Sequence, residues 1–118
     1  MIALDHIQIA IPQGGEAKAR AFWCGGLGLA KIDKPEPLKA RGGLWVALAG
    51  SELHLGVDER FTPARKAHPG FAVDDIDRIA ARISASGQSP HWDTTIKNRR
   101  RFFAEDPFGN RLEFLQKD

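Results

Sequence analysis

The sequence predicts an α+β fold built from two βαβββ modules, and three observations carry that prediction. Stretches that alternate apolar and polar residues with period two recur along the chain. One helical stretch interrupts them in each half, and the order β-α-β-β-β appears twice, over residues 1–58 and 66–118. A chain of 118 residues is long enough for one compact domain with a real core and too short for two independent ones. A four-stranded sheet with a helix on one face leaves its other face bare. Two such sheets can curl their bare faces around a shared concavity of the kind in which ligands bind.

The elements follow in order. In "LDHIQIAI", Leu4 to Ile11, residues Ile7, Ile9 and Ile11 face one way and His6, Gln8 and Ala10 the other. Pro12 and the Gly14-Gly15 pair end that strand. "EAKARAFWCGG" reads as a short helix that buries Ala19, Phe22 and Trp23 and stops at Gly25-Gly26. "LGLAKID" reads as a strand followed by a loop marked by Pro35 and Pro37. "GGLWVALAG" and "SELHLGVD" form a hairpin pair around Gly50-Ser51.

The second module begins near His68. "HPGFAVDD" is a strand with Pro69 near its start, where a missing N–H is tolerable. "DDIDRIAARISASG" is the clearest helix, with Ile76, Ile79, Ala80 and Ile83 at helical spacing, acids in the first turn and Gly87 beyond the end. "SPHWDTTI", "RRFFAED" and "NRLEFLQ" complete the strands, the last two joined by Pro107-Phe108-Gly109-Asn110.

Composition narrows the function classes. A net charge of +2 argues neither for nucleic acid nor for an anionic membrane surface. No apolar run approaches a membrane span, and no basic-plus-apolar leader opens the chain. The single cysteine, Cys24, excludes an internal disulfide framework, which makes a reducing, cytoplasmic setting the expectation. Small-molecule chemistry stays open.

Alternation places His6, His54, His68 and Glu113, four ligand-type residues, on the faces opposite the apolar ones. His6 lies with Gln8 and Ala10, and Glu52 and His54 lie opposite Leu53, Leu55 and Val57. His68 lies opposite Phe71 and Val73, and Glu113 opposite Leu112 and Phe114. Imidazoles and a carboxylate are the usual ligands of Zn²⁺, Ni²⁺, Co²⁺, Mn²⁺ and Fe²⁺. Periodicity alone favours solvent-facing polar residues on half-buried strands over a metal site.

"DHIQIAIP", "ARAFWCGGLGL", "HPGFAVDD" and "EDPFGNRLEFLQ" together resemble the vicinal oxygen chelate superfamily, which includes glyoxalase I, fosfomycin-resistance thiol transferases, bleomycin-binding proteins and extradiol dioxygenases. The resemblance spans essentially the whole chain and implies two βαβββ modules forming a half-barrel cleft. It implies a divalent metal at His6, His54, His68 and Glu113, with Glu113 also able to carry a proton. It further implies a homodimer in which two chains complete each site. Glyoxalase I has a glutamate at the position of His54 and an arginine near Gln8. The fosfomycin transferases have a threonine at Gln8 and a tyrosine near Phe103, and this chain contains no tyrosine. The chemistry implied is that of a lyase, isomerase or thiol transferase acting on a small oxygen-chelating substrate. Alternatives are a metal-free protein that sequesters an antibiotic or aromatic ligand and an Fe²⁺-dependent dioxygenase.

Gln8, Trp45, Trp92, Arg101 and Phe103 are the candidate pocket residues. Trp45 stands on the face opposite Leu44 and Val46, beside His54, with core packing as the competing account. "KNRRR", Lys97 to Arg101, reads as a solvated loop or as an anion-steering rim led by Arg101. Cys24 reads as a small buried hydrophobe, and Gly25-Gly26-Leu27-Gly28 as a helix stop, because it follows a helix and not a strand.

Overall fold

The computed structural model describes residues 1–118, which divide into two compact units, Met1–Pro63 and Ala64–Asp118. The first contains β1 (His6–Ile11), α1 (Glu16–Arg20) running into a π-helical turn (Ala21–Gly26), β2 (Lys31–Ile32), a 3-10 helix (Glu36–Arg41), β3 (Leu44–Leu48) and β4 (Ser51–Val57). Its sheet has the order β1-β4-β3-β2, with β1 parallel to β4 and the other neighbours antiparallel. Ile9, Ile11, Leu44, Val46, Leu53 and Leu55 are buried, as are Ala19, Phe22 and Trp23 from the helical segment. That is the core the alternation and the helical spacing predict.

Two local readings change. The stretch read as a strand from Leu27 pairs only at Lys31 and Ile32. The preceding residues are instead used by the helix end, because Leu27, Gly28 and Leu29 donate their N–H groups to the carbonyls of Phe22, Cys24 and Trp23. The loop marked by its prolines forms the 3-10 helix, with a proline in the first turn, where no N–H is needed. Gly43 explains how β3 enters the sheet. It has φ +89, and a Cβ there would stand 2.4 Å from the Leu55 carbonyl oxygen, so only glycine allows that approach.

The second unit contains β5 (Gly70–Val73), α2 (Ile76–Ala85), β6 (His91–Asp93), β7 (Arg101–Glu105) and β8 (Arg111–Gln116). Its sheet repeats the arrangement, in the order β5-β8-β7-β6, with β5 parallel to β8. Helix α2 starts at Asp75, whose carboxylate accepts the Arg78 N–H at 3.1 Å. The Gln116 side chain accepts the Ile76 N–H at 3.0 Å and so ties the helix start to the last strand. Ile76, Ala80 and Ile83 face the core with Phe102, Ala104, Leu112 and Phe114.

The D-P-x-G-N turn is held from within. Asp106 is buried, its Oδ1 accepting the N–H groups of Phe108 and Asn110 and its Oδ2 the Asn110 amide. Asn110 in turn accepts the Ala64 N–H at 3.0 Å, and Arg111 donates its N–H to the Ala64 carbonyl at 2.8 Å. These bonds fix the register in which β8 begins, and therefore the face on which Glu113 emerges.

Candidate functional site

In the first unit, β1, β4 and β3 lie side by side, with Gln8 opposite His54 and His54 opposite Trp45. The rings form a column. His54 lies flat against Trp45, with centroids 3.7 Å apart and planes parallel, and His6 stacks on His54 at 4.2 Å and 17°. This packing explains why His54 is only 5% exposed although it sits on the face opposite the apolar core. Its Nε2 is 2.9 Å from Glu52 Oε1, and His6 Nδ1 is 2.8 Å from Asp5 Oδ2. Further along the same face, Gln8 folds over Gly56, where a Cβ would stand 2.7 Å from its amide carbon. Beside it opens a cavity of about 560 Å³, lined by Gln8, Ala10, Gly56, Val57 and the polar Asp58–Arg60 turn.

In the second unit, Glu113 pairs with Gly70 on one side and Phe103 on the other. It is 8% exposed, and both carboxylate oxygens are occupied. Oε1 is 2.9 Å from His68 Nε2, and Oε2 accepts Arg101 Nη1 at 3.0 Å. Arg101 reaches on to Asp93, with Nη2 to Oδ1 at 3.3 Å. Burial pushes the Glu113 carboxyl up, but its bonds to His68 and Arg101 outweigh this and hold it below the ordinary glutamate value. The Phe103 ring meets His68 edge-on at 5.5 Å and carries the Arg111 guanidinium 4.2 Å from its centroid. His68 stands just ahead of β5, not within it. Its Nδ1 is held at 2.8 Å by the Lys66 carbonyl, and the Glu113 N–H to Pro69 carbonyl bond extends the ladder towards it.

Trp92 is not brought to this face. It pairs with buried Phe102, so it stands on the opposite side of the sheet from Phe103 and Glu113, with the Arg100 guanidinium 4.8 Å from its ring. A three-residue strand gives alternation too little length to assign a face, which is why the sequence left its orientation open. The basic run is engaged at its end. Arg100 forms two 2.8 Å bonds with Asp77, and Arg101 is committed to Glu113 and Asp93.

The two sheets place their ligand-type residues equivalently. The pairings Ile11 with Val57 and Val73 with Gln116 end the two parallel ladders. Counted back from those ends, His6 and His68 each precede by five residues, and His54 and Glu113 each precede by three. On the antiparallel side, Trp45 faces His54 as Phe103 faces Glu113.

The bonding of the rings suits metal ligation. Asp5, Glu52 and the Lys66 carbonyl are acceptors, so each fixes a proton on the histidine nitrogen it meets. A neutral imidazole then keeps a lone pair on His6 Nε2, His54 Nδ1 and His68 Nε2. Ligating histidines ordinarily have their other nitrogen held in this way. For His68 the lone pair points at a carboxylate oxygen 2.9 Å away, an arrangement that requires a proton or a cation. Two donors at right angles and ~2.1 Å from one ion stand about 3 Å apart. No group of three or more such side chains able to hold a metal ion occurs in the chain.

The match to the family model of the Glyoxalase/Bleomycin resistance protein/Dioxygenase superfamily extends over residues 3–114. The chain belongs to this superfamily. A glyoxalase family protein from Bacillus anthracis is 41% identical, with a TM-score of 0.94 over 100% of this chain and 97% of that one. The oxidase ChaP-H2 is 27% identical, with a TM-score of 0.73 over 99% and 94% of the two chains. The fosfomycin resistance protein FosX from Listeria monocytogenes shares the fold at 16% identity, with a TM-score of 0.79 over 100% and 95%. No match was found among curated protein sequences. These relatives share the α+β architecture of two four-stranded mixed sheets seen in this superfamily member. No helix in it is long and apolar enough to cross a membrane.

Sequence reasoning did not single out Asp5, Glu52, Asp93 or Arg111. Glu52 was within reach, because it lies two residues before His54 on the same strand face. Asp93 depended on a register between β6 and β7 that no turn signal specifies.

Proposed function

We propose that the chain is a divalent-metal-dependent enzyme of glyoxalase type, acting on a small substrate through two of its oxygens. His6, His54, His68 and Glu113 are the proposed ligands, and Glu113 the proposed catalytic carboxylate. The observation that carries this reading is the equivalence of the two modules. His6 matches His68 in position, His54 matches Glu113, and each imidazole has its outer nitrogen held by an acceptor. Because each unit supplies a pair of donors, we propose a homodimer in which His6 and His54 of one protomer act with His68 and Glu113 of its partner.

Bound there, the ion supplies Lewis acidity toward negative charge developing on a substrate oxygen. The protein's own contribution is positional. Asp5, Glu52 and the Lys66 carbonyl fix the ring orientations, and the Trp45 and Phe103 rings back His54 and Glu113. Gln8 and the cavity beside it are the proposed seat of the rest of the substrate, and Arg101 and Phe103 are further proposed pocket residues. Zn²⁺, Ni²⁺, Mn²⁺, Co²⁺ and Fe²⁺ all suit a nitrogen and carboxylate donor set.

Metal titration of tag-free protein tests the proposal, read by calorimetry together with light scattering. One equivalent per chain in a dimer is expected, with affinity reduced tenfold or more in Glu113→Gln. A wild-type protein that takes up none of the five ions contradicts it. That result favours the second reading, a metal-free binding protein. Its supporting observation is the flat Trp45–His54–His6 column, which suits stacking of an aromatic ligand.

A further inference from the structure

We propose that Arg101, anchored by Asp93, is a positioning residue that holds one Glu113 oxygen and leaves the other directed at His68. The inference rests on a continuous chain of contacts across one sheet face. Asp93 on β6 meets Arg101 on β7 at 3.3 Å, Arg101 meets Glu113 on β8 at 3.0 Å, and Glu113 meets His68 at 2.9 Å. His68 ends the chain on the Lys66 carbonyl. Each member fixes the next, and the two guanidinium nitrogens serve different carboxylates.

The division of labour at Glu113 follows from its geometry. Arg101 takes Oε2 and leaves Oε1 to His68 Nε2, so the carboxylate presents one oxygen where the imidazole presents one nitrogen. A glutamate without this clamp can rotate about its last bond and offer either oxygen or both. The Arg101 side chain is 15% exposed, and its cation lies 5.1 Å from the Phe103 ring, which fills the space beside the clamp. Its Nε is buried without a hydrogen-bond partner, so no third bond redirects the fork. A residue bound on both sides in this way is a poor anion-steering group, because its fork is already filled. The position equivalent to Arg101 in the first unit is Gly43, next to Leu44 where β3 meets Leu55 of β4, so the clamp belongs to the second module alone.

The proposal predicts two separable results, and only the first rests on the metal reading. Arg101→Met should weaken Mn²⁺ binding tenfold or more and broaden the bound-Mn²⁺ resonance spectrum, as the released carboxylate samples several binding modes. Arg101→Lys, a point charge that reaches one partner, should recover part of the affinity. Unchanged Mn²⁺ affinity and spectrum in Arg101→Met overturn the positioning role.

The second result is read in metal-free wild-type protein by nitrogen-15 resonance of the arginine side chains. Arg101 should show resolved, slowly rotating Nη signals that collapse in both Asp93→Asn and Glu113→Gln. Freely rotating Arg101 signals in the wild type overturn the clamp even if metal binds. Failure of the wild type to bind any ion removes the metal reading and leaves this second result to decide the clamp.

Discussion

Asp106→Asn is the perturbation whose outcome the structure constrains most tightly. The carboxylate is 1% exposed and accepts three bonds, from Phe108 N–H at 2.9 Å, Asn110 N–H at 2.8 Å and the Asn110 amide at 2.9 Å. Asparagine has one oxygen. If it keeps the two backbone bonds, its NH₂ is left facing the NH₂ of Asn110. Asn110 cannot turn its oxygen to meet it without abandoning the Ala64 N–H. An unsatisfied buried donor costs about 1–3 kcal/mol. Conversion of two charge-assisted bonds to neutral ones adds roughly 1 kcal/mol. Burial pushes the Asp106 carboxyl above its ordinary value, so removing the charge offsets some of this. The expected net loss is about 2–3 kcal/mol.

Urea unfolding reads it directly, as a lower midpoint at unchanged slope. The double variant Asp106→Asn/Asn110→Asp tests the reasoning harder. The new carboxylate at position 110 can accept both the Ala64 N–H and the new amide at position 106, so every donor finds an oxygen again. The double variant should therefore be more stable than Asp106→Asn alone by about 1 kcal/mol or more. A single variant within about 0.5 kcal/mol of wild type, or a double variant no better than the single, would refute the account.

Other outcomes follow from the same geometry. Gly43→Ala forces a Cβ to 2.4 Å from the Leu55 carbonyl at a φ of +89, and should cost about 2–4 kcal/mol in the same urea assay. The pH dependence of folding should carry a Glu113 contribution. Its carboxyl lies below the ordinary glutamate value of 4.5 in the folded protein, so the stabilisation is present above that value and is lost as pH falls through the depressed one. Stability curves of wild type and Glu113→Gln should accordingly converge in acid. Curves that stay parallel down to pH 2 would count against the ionised pair.

The fold was legible in the sequence wherever a single periodicity ran long enough. The helix from Ile76 to Ala85 has its apolar residues on one face and its cap at Asp75, and the strands around His6, His54 and Glu113 alternate cleanly. Alternation also placed Trp45 beside His54. What escaped was set by contacts between elements. The stretch from Leu27 to Leu29 has strand-like composition, but the open carbonyls of the π-helical turn capture its N–H groups first. Trp92 belongs to a strand of three residues, and its face depends on pairing with Phe102. The engagement of Arg101 by two carboxylates needed the register of β6 on β7 and β7 on β8 together.

The two modules show how one scaffold carries different chemistry. Positions equivalent by register hold His6 and His68, and Trp45 and Phe103, so an imidazole and an aromatic backing ring recur in each. At the remaining positions the chemistry diverges. Glu52 corresponds to Arg111, His54 to Glu113 and Gly43 to Arg101. The first module therefore places an acid beside its second imidazole, and the second bonds its carboxylate to the Arg101 guanidinium. A carboxylate bonded to an imidazole fixes the orientation of that ring. A guanidinium bonded to a carboxylate helps hold it ionised, with its carboxyl below the ordinary value. Of the two acids, Glu52 is the more exposed, with a 39% exposed side chain against 11% for Glu113, and Glu113 is the more firmly held. Arg101 thus holds Glu113 as a fixed, ionised carboxylate, whereas the acid beside His54 stands more open to solvent.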